Sequence, residues 1–132
     1  YLRDGDIVIA DTAEDYTVGK AVEIVGATGM KALSGLHTIP CRPKLSFAPM
    51  YLGYFFNSKR FRTQMLPLVQ GTKVSSISKS EILKTAVVFP SYEVQSRIAS
   101  MLYTLDQKID ICNACAHELV RVKEALLQQL II

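Results

Sequence analysis

Residues 91–132 read SYEVQSRIAS MLYTLDQKID ICNACAHELV RVKEALLQQL II, a stretch without a single Gly or Pro. Apolar residues recur through it at alternating spacings of four and three. One series is Ile98, Leu105, Cys112, Leu119 and Leu126; the interleaved series is Leu102, Ile109, Ala116, Lys123 and Leu130. Nine of these ten are apolar or small, and Lys123 is the exception. That is the seam of a heptad repeat, which predicts one long helix from Ser91 onward with a stripe that another helix must cover. At 1.5 Å per residue the helix is about 60 Å long, more than one small globule can bury. The stripe therefore predicts pairing with a second copy or with another protein.

Residues 1–90 remain, enough for one small domain with a modest core. Of the 132 residues, 49% are hydrophobic and 20% charged. No run of eighteen apolar residues suggests a membrane span, and the opening Tyr1-Leu2-Arg3-Asp4-Gly5-Asp6 is unlike a secretory leader. Three cysteines, two of them one helical turn apart, suit reduced thiols better than a disulfide framework. These features imply a cytoplasmic protein, and the start without Met implies a fragment.

Net charge is +3, but its distribution is uneven. Residues 31–90 hold nine Lys or Arg, among them Lys31, Arg42, Lys59, Arg60, Arg62 and Lys73, against Glu81 alone. So basic a stretch favours a polyanionic partner whose phosphates supply sequence-independent affinity, or else forms a solvated face that binds nothing.

Short elements fill the first ninety residues, giving an α+β class with a small mixed sheet. Asp4-Gly5 reads as a turn, Ile7–Ile9 as a buried strand and Ala21–Val25 as its partner. Leu36–Cys41 reads as a further strand, held to an edge or a turn by Pro40 and Pro43. A helix is expected over Ala48–Phe56 despite Gly53, and another after Ser58 through Phe61 and Met65, stopped by Pro67. Gly71–Ile77 is a hydroxyl-rich loop. Ser78 and Glu81 then have capping-box spacing for a short helix, whose free amides with Lys73, Ser75 and Ser76 could hold a phosphate or serve only as a cap. Thr85–Phe89 reads as a strand before the long helix.

Several groups look chemical but have simpler readings. Cys112 and Cys115 form a C-x-x-C with His117 and Cys41 as conceivable co-ligands, yet Cys112 falls on the seam and packing explains it. His37 and His117 lack the neighbours of a catalytic triad. Asp11, Glu14 and Asp15 read as turn formers rather than a nuclease-type metal site. A Gly-rich phosphate cradle, paired metal-binding histidines and the base-gripping motif of amino-methyltransferases are all missing from the sequence, which argues against a methyltransferase or a nuclease.

Ordered motifs support a resemblance. Asp4-Gly5-Asp6-Ile7-Val8-Ile9-Ala10, Val18-Gly19-Lys20-Ala21, Leu52 to Phe61 with its Asn57-Ser58, Gly71-Thr72-Lys73 through Ile77-Ser78, and Leu83 to Pro90 follow one another in order. Glu93-Val94-Gln95, Ile98-Ala99, Leu102, Leu105-Asp106 and Ile109 come next, then Lys123 to Leu130. Together these resemble the C-terminal part of a target-recognition domain and its spacer helix in the DNA-specificity subunit of type I restriction-modification systems. The resemblance covers nearly the whole chain, but the first portion of that domain would lie before Tyr1, and only one domain and one helix are present.

The resemblance implies a noncatalytic reader of double-stranded DNA, with domains at 1–90 and 91–132, that contacts half of a bipartite target. Its spacer helix would pair antiparallel with a second one, in a homodimer or with another specificity half, and methyltransferase and restriction subunits would dock on the assembly. The chain itself would carry no cofactor; S-adenosylmethionine would bind the partner methyltransferase. Carried onto this chain, the DNA-facing elements are the loops 12–20 and 72–76, with Thr12, Tyr16, Thr17, Lys20, Lys73, Ser75 and Ser76, joined by Arg42, Arg60 and Arg62 as phosphate or base contacts. Helix pairing falls to Ile98, Leu102, Leu105, Ile109, Cys112, Ala116, Leu119, Leu126 and Leu130. The alternative is a coiled-coil regulatory fragment that binds no DNA alone.

Overall fold

A computed structural model describes residues 1–14, 17–71 and 73–131. The Asp4-Gly5 turn, with Gly5 at φ +83°, delivers the chain into β1 (Ile7–Ala10). β2 (Thr12–Ala13), β3 (Ala21–Glu23) and β4 (Thr38–Cys41) follow. A three-stranded sheet has the order β3-β1-β4, antiparallel throughout, with Ile9 opposite both Ala21 and Ile39. Prolines keep β4 at an edge, as expected, because Pro40 has no N–H to give a further strand. The α+β class stands, but the sheets are antiparallel rather than mixed: β1 is joined to its neighbours by loops, with no helical crossover of the kind parallel strands need.

Ile7 and Ile9 point from β1 into the core, where they meet Tyr51 and Leu52 of α1 (Tyr51–Asn57) and Phe61 and Met65 of α2 (Lys59–Met65). Phe61 is fully buried and packs edge-on against Phe56 at 4.5 Å. Glu23 at the end of β3 caps α1, its Oε1 accepting the N–H of Met50 at 2.6 Å and its Oε2 that of Gly53 at 2.9 Å. Gly53 is explained by the same approach, since a Cβ there would stand 3.1 Å from that of Glu23. Ser58 caps α2 by accepting from the Phe61 amide. Pro67 ends α2 in a single 3₁₀ turn at Leu66–Leu68.

Side-chain amides take the place of strands twice. Asn57 reads the outer edge of β3: its Nδ2 donates to Ala21 O at 2.6 Å and its Oδ1 accepts from Ala21 N at 3.1 Å. Gln64 does the same to Ala86, accepting its N–H at 2.9 Å and donating to its carbonyl at 3.2 Å. The expected strand at Thr85–Phe89 is therefore absent from the ladders. Its apolar residues 86–89 stay exposed, with Phe89 meeting Phe47 edge-on at 4.8 Å.

Gly71–Ile77 is not wholly a loop either. Ser75–Ser76 form β5, whose backbone pairs with β2 in a two-stranded antiparallel sheet. α3 (Lys79–Ile82) then starts at Ser78, which accepts from the Glu81 amide at 3.3 Å. Only this half of the capping box is found among the described residues, and Glu81 Oε1 takes Lys84 Nζ at 2.6 Å.

The last element is α4 (Tyr92–Leu130), 39 residues long. Chain contacts divide the protein into residues 1–99 and 100–132. Within the first unit α4 buries Gln95 and Ala99, and Gln95 ties down the loop before α1, accepting from Ala48 N at 3.1 Å and donating to Pro90 O at 2.9 Å. Ile98, on the seam, stays 38% exposed. In the second unit every described residue except Leu102 is exposed, including Leu105, Ile109, Cys112, Ala116, Leu119, Leu126 and Leu130.

Candidate nucleic-acid interface

The two loops nominated from sequence are brought together by the β2–β5 ladder, in which Thr12 is opposite Ser76 and Ala13 opposite Ser75. Each loop is also closed at its base. Ala10 exchanges backbone hydrogen bonds with the 12–20 loop, donating to Lys20 O at 2.9 Å and accepting from Gly19 N at 2.8 Å. Gln70 and Ser76 bond each other in both directions, at 2.9 and 2.7 Å, so Lys73 sits in the tip of a tight hairpin. Gly71 makes that tip possible at φ +111°, a conformation in which a side chain would run into the carbonyl of Val74. Ile77 N donates to Asp11 O at 2.8 Å and so fastens the hairpin to the end of β1.

Lys20, Lys73 and Ser76 are exposed on these loops; Thr12, Thr17 and Ser75 are half-buried. Tyr16 and Thr72 lie outside the described residues, as does Asp15. Arg60 is exposed on α2. Asp11 lies where the two sheets meet, with its Oδ1 buried and lacking a hydrogen-bond partner and His37 Nδ1 3.9 Å away.

Two of the arginines named from charge serve the fold. Arg42 grips Asp6 with two parallel hydrogen bonds, Nε to Oδ1 at 2.8 Å and Nη2 to Oδ2 at 2.7 Å, and reaches Tyr1 O at 3.1 Å. Asp6 is buried, and this guanidinium, helped by the Arg3 amide, holds its carboxyl below the usual aspartate range. Arg62 sends Nη1 and Nη2 to Val18 O, each at 3.2 Å, bracing the 12–20 loop from α2. Charge alone does not show which way a guanidinium faces, and nothing local to Arg42 in the sequence signals its pairing with Asp6, 36 positions away.

A separate groove of about 530 Å³ runs past Asp4, Asp6, Glu23, Arg42 and Phe47 and shares no residue with either loop. Its carboxylates are engaged: Asp4 accepts from Ala27 N and Thr28 Oγ, which lowers its pKa, and Glu23 caps α1. No cluster of three or more His, Cys, Asp or Glu able to hold a metal occurs among the described residues. Burial pushes the Cys41 thiol up, making it a poor metal ligand at neutral pH. No helix in the described residues is long and apolar enough to cross a membrane.

No protein-family model matches the chain, and no curated protein matches it.

Proposed function

We propose that this chain is a noncatalytic DNA-specificity element of a type I restriction-modification complex, reading one half of a bipartite target through its 1–90 region and pairing through α4. The observation that carries the reading is the β2–β5 ladder: it joins two polar loops, distant in sequence, into one surface bearing Lys20, Lys73 and three hydroxyl side chains. Lysines would meet phosphate, and Thr12, Ser75 and Ser76 would reach base edges or sugar. With Arg42 and Arg62 occupied in the fold, the exposed Arg60 and Lys73 are cations offered to DNA.

The exposed seam supports the pairing half. Six large seam side chains per helix, Ile98, Leu105, Ile109, Leu119, Leu126 and Leu130, are exposed. Half-burying twelve of them in a pair would yield roughly 10–20 kcal/mol, against about 4–15 kcal/mol for lost rigid-body freedom. Methyltransferase and restriction subunits would supply the chemistry and the cytoplasmic setting, and S-adenosylmethionine would belong to the methyltransferase.

Methylation mapping in cells with and without the gene tests this directly. A bipartite motif that loses methylation on deletion is the expected result; an unchanged methylome, together with purified chain that binds no duplex at low salt, would leave only a pairing module.

A further inference from the structure

We infer that Leu36 is an apolar base contact: the turn that carries it enters a groove of the bound duplex and presses the leucine against the bases. The inference rests on the DNA-reading proposal above and adds a third element to that surface. It starts from the backbone at the end of β1, where Ala10 and Asp11 hold three segments at once. Ala10 bonds Gly19 and Lys20 at the base of the 12–20 loop, Asp11 O accepts from Ile77 below the hairpin, and Asp11 N donates to His37 O at 3.2 Å. The Leu36–His37 turn therefore leaves the sheet at the same end as the two polar loops.

Leu36 contributes nothing to the core. It is 90% exposed, the most of any large apolar side chain among the described residues, whereas Ile39 three positions on is buried. The turn is also held so that the leucine stays out. Thr38 Oγ1 donates to Gly35 O at 2.6 Å across it, and Thr38 and Ile39 pair with Ala10 and Ile9 of β1. A tip fixed in this way loses little freedom when a partner arrives, so most of the gain from covering a leucine is kept as affinity. Its surroundings favour nucleic acid as that partner. His37 is exposed beside it, and Thr12, Lys73 and Ser76 belong to segments fastened to the same two backbone residues, while Asp11 turns its Oδ1 into the protein. Cations and hydroxyls meet phosphates and base edges, and a leucine among them packs on a thymine methyl or wedges at a base step. A protein partner would call for a continuous apolar patch, but Leu36 stands between Gly35 and His37.

The test offers the full chain a pool of random-sequence duplexes at low salt and compares what it enriches with what Leu36→Ser enriches. The parent chain should select a motif. Leu36→Ser should lose the preference at the base step it touches and bind the parent's motif about tenfold or more weakly, with its melting temperature and salt slope unchanged. Leu36→Met, which restores an apolar tip, should recover most of the affinity. Lys73→Ala should instead keep every position of the motif and lower the slope. Parent motif and parent affinity in Leu36→Ser would overturn the contact while leaving the DNA reading in place, and would free the tip for a protein partner. A fall in affinity that comes with a lower melting temperature would also overturn it, because the leucine would then serve the fold. A parent chain that enriches no sequence would remove the DNA reading and this contact together.

Discussion

Arg62 and Val18 are 44 positions apart, yet both terminal nitrogens of the Arg62 guanidinium converge on the Val18 carbonyl at 3.2 Å. The pair links α2 to the 12–20 loop just before Gly19, whose φ of +76° turns the chain back toward β3. Charge-assisted bonds to a half-buried backbone oxygen contribute more than neutral ones. Arg62→Ala should lower stability by about 1–2 kcal/mol, read from the denaturant midpoint. Because the guanidinium faces its own chain, the salt slope of DNA binding should stay the same even where affinity falls. A slope reduced by one unit would instead make Arg62 a phosphate contact.

Lys73 should behave in the opposite way. It lies exposed at a hairpin tip, with no part in the core. Lys73→Ala is expected to leave the melting temperature within a degree or two while reducing the slope of log binding constant against log salt by about one unit. Measuring both on the same preparation separates it from Arg62.

What could be read beforehand, and what could not, follows from how local each signal is. The α4 seam was legible because its repeat is carried by one continuous element, and β1, β3 and β4 because runs such as Ile7-Val8-Ile9 are bounded by Gly, Pro and Asp. Ser58 and Ser78 announced their helices by cap spacing. The β2–β5 ladder was invisible since two residues per strand are too few to show an alternation. Thr85–Phe89 was misread because β-prone residues only form a strand if an edge is free, and Gln64 already occupies the backbone of Ala86. Asn57, Glu23 and Gln95 carry no local signature of their tasks; each acts on backbone brought close by the tertiary fold. Of the candidate site, the two loops came from the resemblance and the structure puts them side by side, while selection by charge also picked two arginines that the fold itself uses.

Asn57 offers a direct check on the idea that side-chain amides close the sheet. Ala21 is buried, and its N–H and C=O both lose their side-chain partner if Asn57 is truncated. Asn57→Ala should cost about 2–3 kcal/mol, and Asn57→Asp, which keeps the acceptor and loses the donor, should cost a substantial part of that. Hydrogen exchange at the Ala21 amide provides the local readout: it should speed up in Asn57→Ala by more than global destabilisation accounts for. A loss below about 0.5 kcal/mol would mean water replaces the amide without penalty.

Asp6 and Arg42 couple the stability of the fold to acid pH. The folded carboxyl titrates below its ordinary value because Arg42 hydrogen-bonds and neutralises the ionised form. A depressed folded pKa means that the stabilisation is complete above the unfolded value, about pH 4, and drains away as pH falls through the lower folded value. Arg42→Ala leaves Asp6 without its countercharge, so the folded pKa should rise and stability at neutral pH should fall. The same change should shift the onset of acid unfolding to higher pH. Asp6→Asn removes the charge that Arg42 neutralises and should flatten the stability profile below pH 5. Unfolding midpoints followed from pH 7 to pH 2 in the three proteins distinguish these outcomes, and coincident acid limbs would show that a different carboxyl governs the transition.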